Sequence, residues 1–268
     1  MEFANNLIFL FSETPYISYP FIFFVGTVLA SFGGVVVYRL PIQYGWVESD
    51  KSDYTLSFPP SHCDSCNKNL SLVDLIPILG WFLNKGKCNQ CHSSVPFIFP
   101  LTEFLMGLAF IKSFLIFGFT IEAVLFCLLL WFSFVIAWID WNTEWIPEMF
   151  TTPLMFTGFL LSPFAVSIQD SVVGSFTAWA LFTFTFWIIS KIKRVDAYSG
   201  GDIAFAYMAG AWVGMHNILE YLFASSVIFI IFALLNKDRK WIPMGPALAI
   251  AFILEILLIQ FGLNFFPK

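Results

Sequence analysis

Long apolar runs dominate this chain. Near positions 17–38, 96–117, 121–139, 146–167, 171–190, 203–216, 219–235 and 243–264 most side chains are aliphatic or aromatic. About 20 such residues cross a bilayer as a helix, so the pattern predicts eight transmembrane helices. The stretch from Ile203 to Leu235 is 33 residues, long for one helix and tight for two. Charge favours two crossings there, and a broken or re-entrant pair is the alternative. Between the first two runs lies a polar segment, about Pro41 to Val95. The expected organisation is a first transmembrane helix over 1–40, a small cytosolic domain over 41–95 and a transmembrane bundle over 96–268. Glu2 and Glu13 precede the first run and no Lys or Arg does. A secretory signal wants a positive start and a short apolar core, so this run is read as a permanent span.

Composition agrees. The chain is 59% hydrophobic, 20% aromatic and 12% charged, where a soluble domain has about 45–50% apolar and about 25% charged residues. That excludes a soluble single domain and a disordered chain. A net charge of −5 argues against nucleic acid, which needs a basic face. Lys and Arg collect on cytoplasmic loops. Arg39, Lys51, Lys68, Lys85 and Lys87 fall in the first loop, Lys191, Lys193 and Arg194 after the fifth run, and Lys237, Arg239 and Lys240 before the last. These share one side only if 203–235 crosses twice, leaving Lys112 and Lys268 opposite. Eight spans with both termini outside the cytoplasm satisfy this rule.

The polar loop is too small to build a large core and needs a staple. Cys63-Asp-Ser-Cys66 and Cys88-Asn-Gln-Cys91, with 21 residues between them, have the spacing of a four-cysteine zinc site. Four thiolates leave no open position, so the expected Zn2+ is structural. Disulfides are disfavoured in the cytosol; two disulfides, four free thiols, or substitution by His62 or His92 are the alternatives. Cys127 lies alone in an apolar run and reads as a small buried hydrophobe.

Charged groups in spans are costly and often functional. Glu103, Glu122, Asp140, Glu148, Asp202, Glu220 and Glu255 qualify, and two stand out. Asp140 closes the third span in Trp-Ile-Asp-Trp, and Asp202 opens the sixth in Ser-Gly-Gly-Asp-Ile. The charge pattern places both at cytosolic helix ends. If they meet, they cannot both ionise freely and would share a proton. One could then take a proton from water while the other donates to a carbonyl, as in aspartic proteases. Alternatively, each is an interfacial helix-end residue, Asp202 favoured by the helix dipole.

These residues resemble a known family, the type IV prepilin peptidases or prepilin leader peptidase/N-methyltransferases. The resemblance rests on Ser31-Phe32 and Val35 to Pro41, Pro59 and Ser61 before the first CxxC, Ile76-Pro77 between the knuckles, and Pro100 with Glu103. It continues through Ile139-Asp140, Ile146-Pro147-Glu148, Gly200-Gly201-Asp202 and Ile242 to Pro246. It implies a membrane aspartic endopeptidase of the bacterial inner membrane, its active site facing the cytosol. Asp140 and Asp202 would be catalytic, cutting the basic leader of prepilins or pseudopilins after a Gly. It also implies methylation of the new N-terminus, with S-adenosylmethionine as donor. Departures are Gly34 for Asn, Ser199 for the first Gly of Gly-x-Gly-Asp, Ala204 for Lys, Glu148 for Asp or Asn, and Asp196 for Glu. No Gly-rich nucleotide loop marks a donor pocket, and the soluble segment is too short for a Rossmann unit. Membrane-proximal residues are expected to form part of it. Glu48, Asp50, Asp53, Glu144 and Asp196 could attract the basic leader or be solvated loop charges. Two further alternatives are a peptidase alone with a zinc cap, and a non-enzymatic transport or assembly protein with a zinc-stapled docking loop.

Overall fold

The computed structural model of the chain describes residues 11–50, 53–194, 198–239 and 241–263. Glu2, Lys51, Asp196, Lys240 and Lys268 lie outside them. The helices are α1 (Pro15–Gln43), α2 (Leu79–Leu83), α3 (Ile98–Phe117), α4 (Ile121–Thr143), α5 (Glu148–Leu161), α6 (Ile168–Lys193), α7 (Gly200–Val213), α8 (Ile218–Leu235) and α9 (Gly245–Gln260). Each apolar run has become one helix, and α2 is a short extra turn in the polar loop. The described residues form no named strand. The protein is all-α, and α1, α3, α4, α6 and α8 are long and apolar enough to cross a membrane.

The other three apolar runs form shorter helices, with 14 residues in α5, 14 in α7 and 16 in α9. Local chemistry ends them. The run at 146–167 stops being helical at Leu161 because Ser162 precedes Pro163 and takes an extended conformation. Its hydroxyl donates to the Trp212 carbonyl. The long run at 203–235 divides at Gly214, whose φ of +76° few residues other than glycine adopt. It is therefore two helices, as the charge pattern predicted.

Two compact units divide the chain, one through Trp131 and the other from Phe132. In the first, α1 and α3 pack closely along small residues. A methyl group on Gly26 would lie 2.9 Å from the Gly107 Cα, and one on Gly107 would lie 2.6 Å from the Phe23 ring. Trp131, midway along α4, donates its indole N–H to the Leu29 carbonyl of α1 at 2.7 Å.

In the second unit α7 is the axis. Its face from Ile203 to Val213 is almost wholly buried, as expected of a helix apolar all round. Its alanines and glycines let neighbours approach. A Cβ on Gly210 would lie 2.6 Å from the Gly174 carbonyl oxygen of α6. Trp212 is fully buried and satisfies its N–H on the Leu154 carbonyl of α5 at 2.8 Å. Helix α9 covers a further side of α7 through Phe252, which meets Phe205 edge-on.

Candidate functional site

The cysteine loop folds as two copies of one motif, shifted by 25 residues. In the first, the Cys63 N–H donates to the Lys68 carbonyl and the Asn67 N–H to the Cys63 carbonyl; in the second, Cys88 does so to Ser93 and His92 to Cys88. Asn67 and His92 occupy the left-handed region at φ of +57° and +56°, turning the chain back after each second cysteine. His62 pairs with Asn69, and Lys87 with Ser94, as isolated antiparallel bridges.

The two turns bring Cys63, Cys66, Cys88 and Cys91 together, all four sulfurs within 4.8 Å of one another. The Cys63–Cys91 and Cys66–Cys88 sulfur separations are 3.7 and 3.9 Å. Four sulfurs around zinc at about 2.3 Å stand roughly 3.8 Å apart, so the cluster has the size of that coordination shell and could hold zinc. All five cysteines, Cys127 included, are free thiols. The Ser93 hydroxyl lies 3.5 Å from the Cys63 sulfur and 3.1 Å from that of Cys91. With the Ser65 and Cys66 N–H groups, it lowers the Cys63 thiol to about 6. The Lys68 N–H favours the Cys66 thiolate, but desolvation and the neighbouring sulfurs push it up to about 11. Only a cation lets all four ionise together.

His62 is committed elsewhere. Its Nδ1 donates to the Pro60 carbonyl at 2.8 Å, so its Nε2 accepts from the Tyr54 hydroxyl at 2.7 Å. Arg39, buried at the end of α1, donates to the Thr55 and Pro59 carbonyls at 3.1 and 2.7 Å. Glu103 of α3 accepts the Ile78 N–H at 2.6 Å and holds that residue at a φ of +64°. The Ile76-Pro77-Ile78 turn is thereby tied to a helix.

Asp74 joins the two knuckles. It accepts the Ser71 N–H and hydroxyl, both at 2.8 Å, the Asn84 amide at 2.7 Å and the Asn89 amide of the second knuckle at 2.9 Å. The Ser71 bonds, then Asn84 and the Lys68 charge, hold its carboxyl below the usual range against a partial desolvation. Its folded value lies below the unfolded value of about 3.9, so its contribution is present above about pH 4 and lost as pH falls through the folded value. Asp74→Ala should lose amide protection over residues 53–95 at neutral pH, measured by hydrogen exchange on the whole chain. The difference from wild type should shrink below about pH 4; equal protection at neutral pH would contradict the role.

The second unit holds the two aspartates. Asp140, in the last turn of α4, is 4% exposed, and its Oδ2 accepts the Gly245 N–H at 2.7 Å. Gly245 begins α9, so the carboxylate sits against a helix N-terminus, whose unpaired N–H groups favour an anion. A methyl group on Gly245 would lie 2.5 Å from that oxygen and 2.8 Å from the Asp140 Cβ. Asp202 lies in the first turn of α7, partly buried, with the Ser199 hydroxyl directed at it. Gly201 lets this helix end approach the segment after Asp140, since a Cβ there would lie 2.8 Å from the Ile146 Cβ. Gly245→Ala should therefore displace Asp140 and lower any activity that depends on it by about 100-fold. Rates on purified protein of unchanged melting temperature check this, and a rate within about twofold of wild type would contradict it.

The remaining carboxylates differ in setting, and Glu148 lies beside the start of α7, its Oε1 3.7 Å from where a Gly200 Cβ would stand. Glu122 is part-exposed, Glu148 is exposed at the start of α5, and Glu220 and Glu255 are buried in α8 and α9. Sequence reasoning missed three features. Ser199, a departure from the family pattern, faces Asp202. The Gly245 N–H holds Asp140, which no side-chain pattern signals. Asp170 is buried at the start of α6, accepting the Val166 and Met215 N–H groups at 3.1 Å each and contacting His216 at 2.6 Å. Its signal was Ser167 three residues earlier, whose hydroxyl caps the Asp170 N–H at 3.2 Å. At Ala204, in place of the expected Lys, the side chain is fully buried.

Two family models match the chain: the bacterial peptidase A24 N-terminal domain over residues 24–117, and the type IV leader peptidase family over residues 127–234. The chain is 30% identical over 260 residues to a prepilin leader peptidase/N-methyltransferase of Pectobacterium carotovorum subsp. carotovorum, covering 89% of this chain and 92% of the relative. It is 29% identical over 246 residues to a type 4 prepilin-like proteins leader peptide-processing enzyme of Escherichia coli O78:H11, covering 87% and 91%. A prepilin leader peptidase/N-methyltransferase of Aeromonas salmonicida is 27% identical over 276 residues, covering 94% and 92%. No solved structure matches. Matched in both halves and along nearly the full length of these relatives, the chain belongs to the type IV leader peptidase family and is an enzyme.

Proposed function

We propose that the chain is a membrane aspartic endopeptidase that removes the basic leader of prepilins or pseudopilins, with Asp140 and Asp202 as its catalytic pair. The observation that carries this reading is the Asp140 carboxylate, buried against the start of α9, with the α7 end that bears Asp202 drawn through Gly201 onto Ile146, six residues after Asp140. Two carboxylates that share a proton can divide the labour of hydrolysis. The ionised one takes a proton from water as its oxygen attacks the scissile carbonyl carbon. The protonated one donates to the carbonyl oxygen. The tetrahedral intermediate then expels the new amine, which takes a proton from the pair, and the leader leaves as a carboxylate.

The charge asymmetry of the loops supports a site at the cytosolic face of the bacterial inner membrane, where a prepilin's basic leader meets its apolar helix. Cys63, Cys66, Cys88 and Cys91 would hold one Zn2+, whose role when bound is to close the two knuckles into one domain. Methylation of the new N-terminus, with S-adenosylmethionine as co-substrate, is the second activity, supported by the names of the relatives.

The test is incubation of membranes carrying this chain with a prepilin and S-adenosylmethionine, followed by mass spectrometry of the product. The expected product begins just after a Gly and carries one added methyl group. A cleaved but unmethylated product reduces the reading to the peptidase alone, and an untouched prepilin contradicts it.

A further inference from the structure

Outside the membrane-spanning helices, the segment 72–83 carries a dense apolar surface. Leu72, Leu79, Phe82 and Leu83 are 85%, 57%, 57% and 64% exposed, and Val73 and Leu75 are exposed beside them. The fold gathers these side chains. Leu79, Phe82 and Leu83 share one face of α2 by their i, i+3 and i+4 spacing. Helix α2 folds back on the turn at 71–76, where a Cβ on Gly80 would lie 2.9 Å from the Val73 carbonyl oxygen. Soluble surfaces rarely leave so many large apolar groups together, and such a face marks a site for a partner or a membrane.

The position of the face selects the membrane. The Glu103 carboxylate of α3 accepts the Ile78 N–H at 2.6 Å and holds the segment at the start of a helix long enough to cross a bilayer. Trp81 donates to the Val95 carbonyl at 2.9 Å, and its ring meets Phe82 at 5.2 Å and Phe97 at 5.4 Å between centroids. Phe97, Ile98 and Phe99 are themselves exposed, so the apolar face of the loop runs on into the outward side of α3. Charge agrees. Over residues 67–87 stand Lys68, Lys85 and Lys87, all exposed, against one acid, Asp74, which is turned inward onto Ser71, Asn84 and Asn89. Lysine stems can lie along apolar surface while their ammonium groups reach headgroup phosphates.

We infer that the 72–83 face docks into the surface of the bilayer that α3 crosses, its leucines and Phe82 lying at the boundary of headgroups and acyl chains. The docking sets the height of the two knuckles at the membrane, and it stands independently of the peptidase reading above.

The test uses the whole purified chain in nanodiscs of phosphatidylethanolamine and phosphatidylglycerol. A phospholipid with a diazirine at the top of its acyl chain is included, and after illumination peptide mass spectrometry locates the adducts. Leu72, Leu79 and Leu83 should be labelled within about threefold of Ile98 and Phe99, since both sets would lie at the acyl boundary. The Leu79→Gln, Leu83→Gln double variant should keep its labelling at Ile98. It should lose label at Leu72 and Phe82 by about fivefold or more, because the two leucines carry much of the apolar area. A face that a water-soluble diazirine labels and the lipid reagent does not would overturn the inference, because it would then lie in water. A face that neither reagent reaches would also overturn it, since protein would then cover it. So would a double variant labelled as wild type is. If the double variant does not fold, the two reagents on wild type decide alone.

Discussion

Asp202→Asn should lose prepilin cleavage by about 10³-fold or more while accumulating in the membrane as wild type does. The amide keeps the size and the partial burial of the side chain, and it can still face the Ser199 hydroxyl. What it loses is the ability to carry or accept a proton. Asp140→Asn should be as severe for a related reason. Its oxygen can still accept the Gly245 N–H, so α9 should stay anchored, yet the pair no longer has a second carboxylate to share the proton. The check is cleavage of one prepilin in membranes, normalised to the amount of each variant. A variant that accumulates normally but cleaves within about tenfold of wild type would remove that aspartate from the chemistry.

The second large effect concerns the knuckles. Replacing Cys63 and Cys66 by serine should take the purified protein from about one bound metal ion per chain to none, because a structural site needs all four sulfurs. The loop should then lose its fold, since metal binding and folding are one equilibrium in such small domains. The backbone turns alone, at Asn67 and His92, fix too few residues to hold it. Metal analysis and hydrogen exchange over residues 53–95 read the two consequences separately. Retained metal at the wild-type ratio, or retained protection without it, would contradict the assignment.

Much of this architecture was legible in the sequence because a bilayer imposes a length. Each apolar run became a helix, and the division of the long run into α7 and α8 followed from where lysine and arginine sit. The four cysteines were legible because their spacing has few other uses. The identity of the residue after each knuckle mattered less than its ability to turn left-handed, which Asn67 does readily and His92 does less commonly. The parts that were not legible depend on tertiary contacts. Nothing in the sequence around Met244-Gly245-Pro246 says that a main-chain N–H there will meet Asp140. Ser199 read as a departure from a glycine pattern, yet its hydroxyl faces Asp202. Asp170 stands just ahead of the 171–190 run, and its position alone gives it no role. In the structure it sits buried under the turn that joins α7 to α8. Apart from the Ser167 cap ahead of Asp170, short polar contacts of this kind have no period, and no pattern along the chain announces them.

The measurement that bears most directly on the central claim is the cleavage rate of one prepilin by wild type, Asp140→Asn, Asp202→Asn and the double variant. All four should be purified in lipid and of equal melting temperature. If the two carboxylates act on one water as a unit, each single variant is nearly inactive and the double variant is no slower than the slower single. Losses that multiply in the double variant, or a single variant that retains most of the wild-type rate, would show that they do not form a catalytic pair.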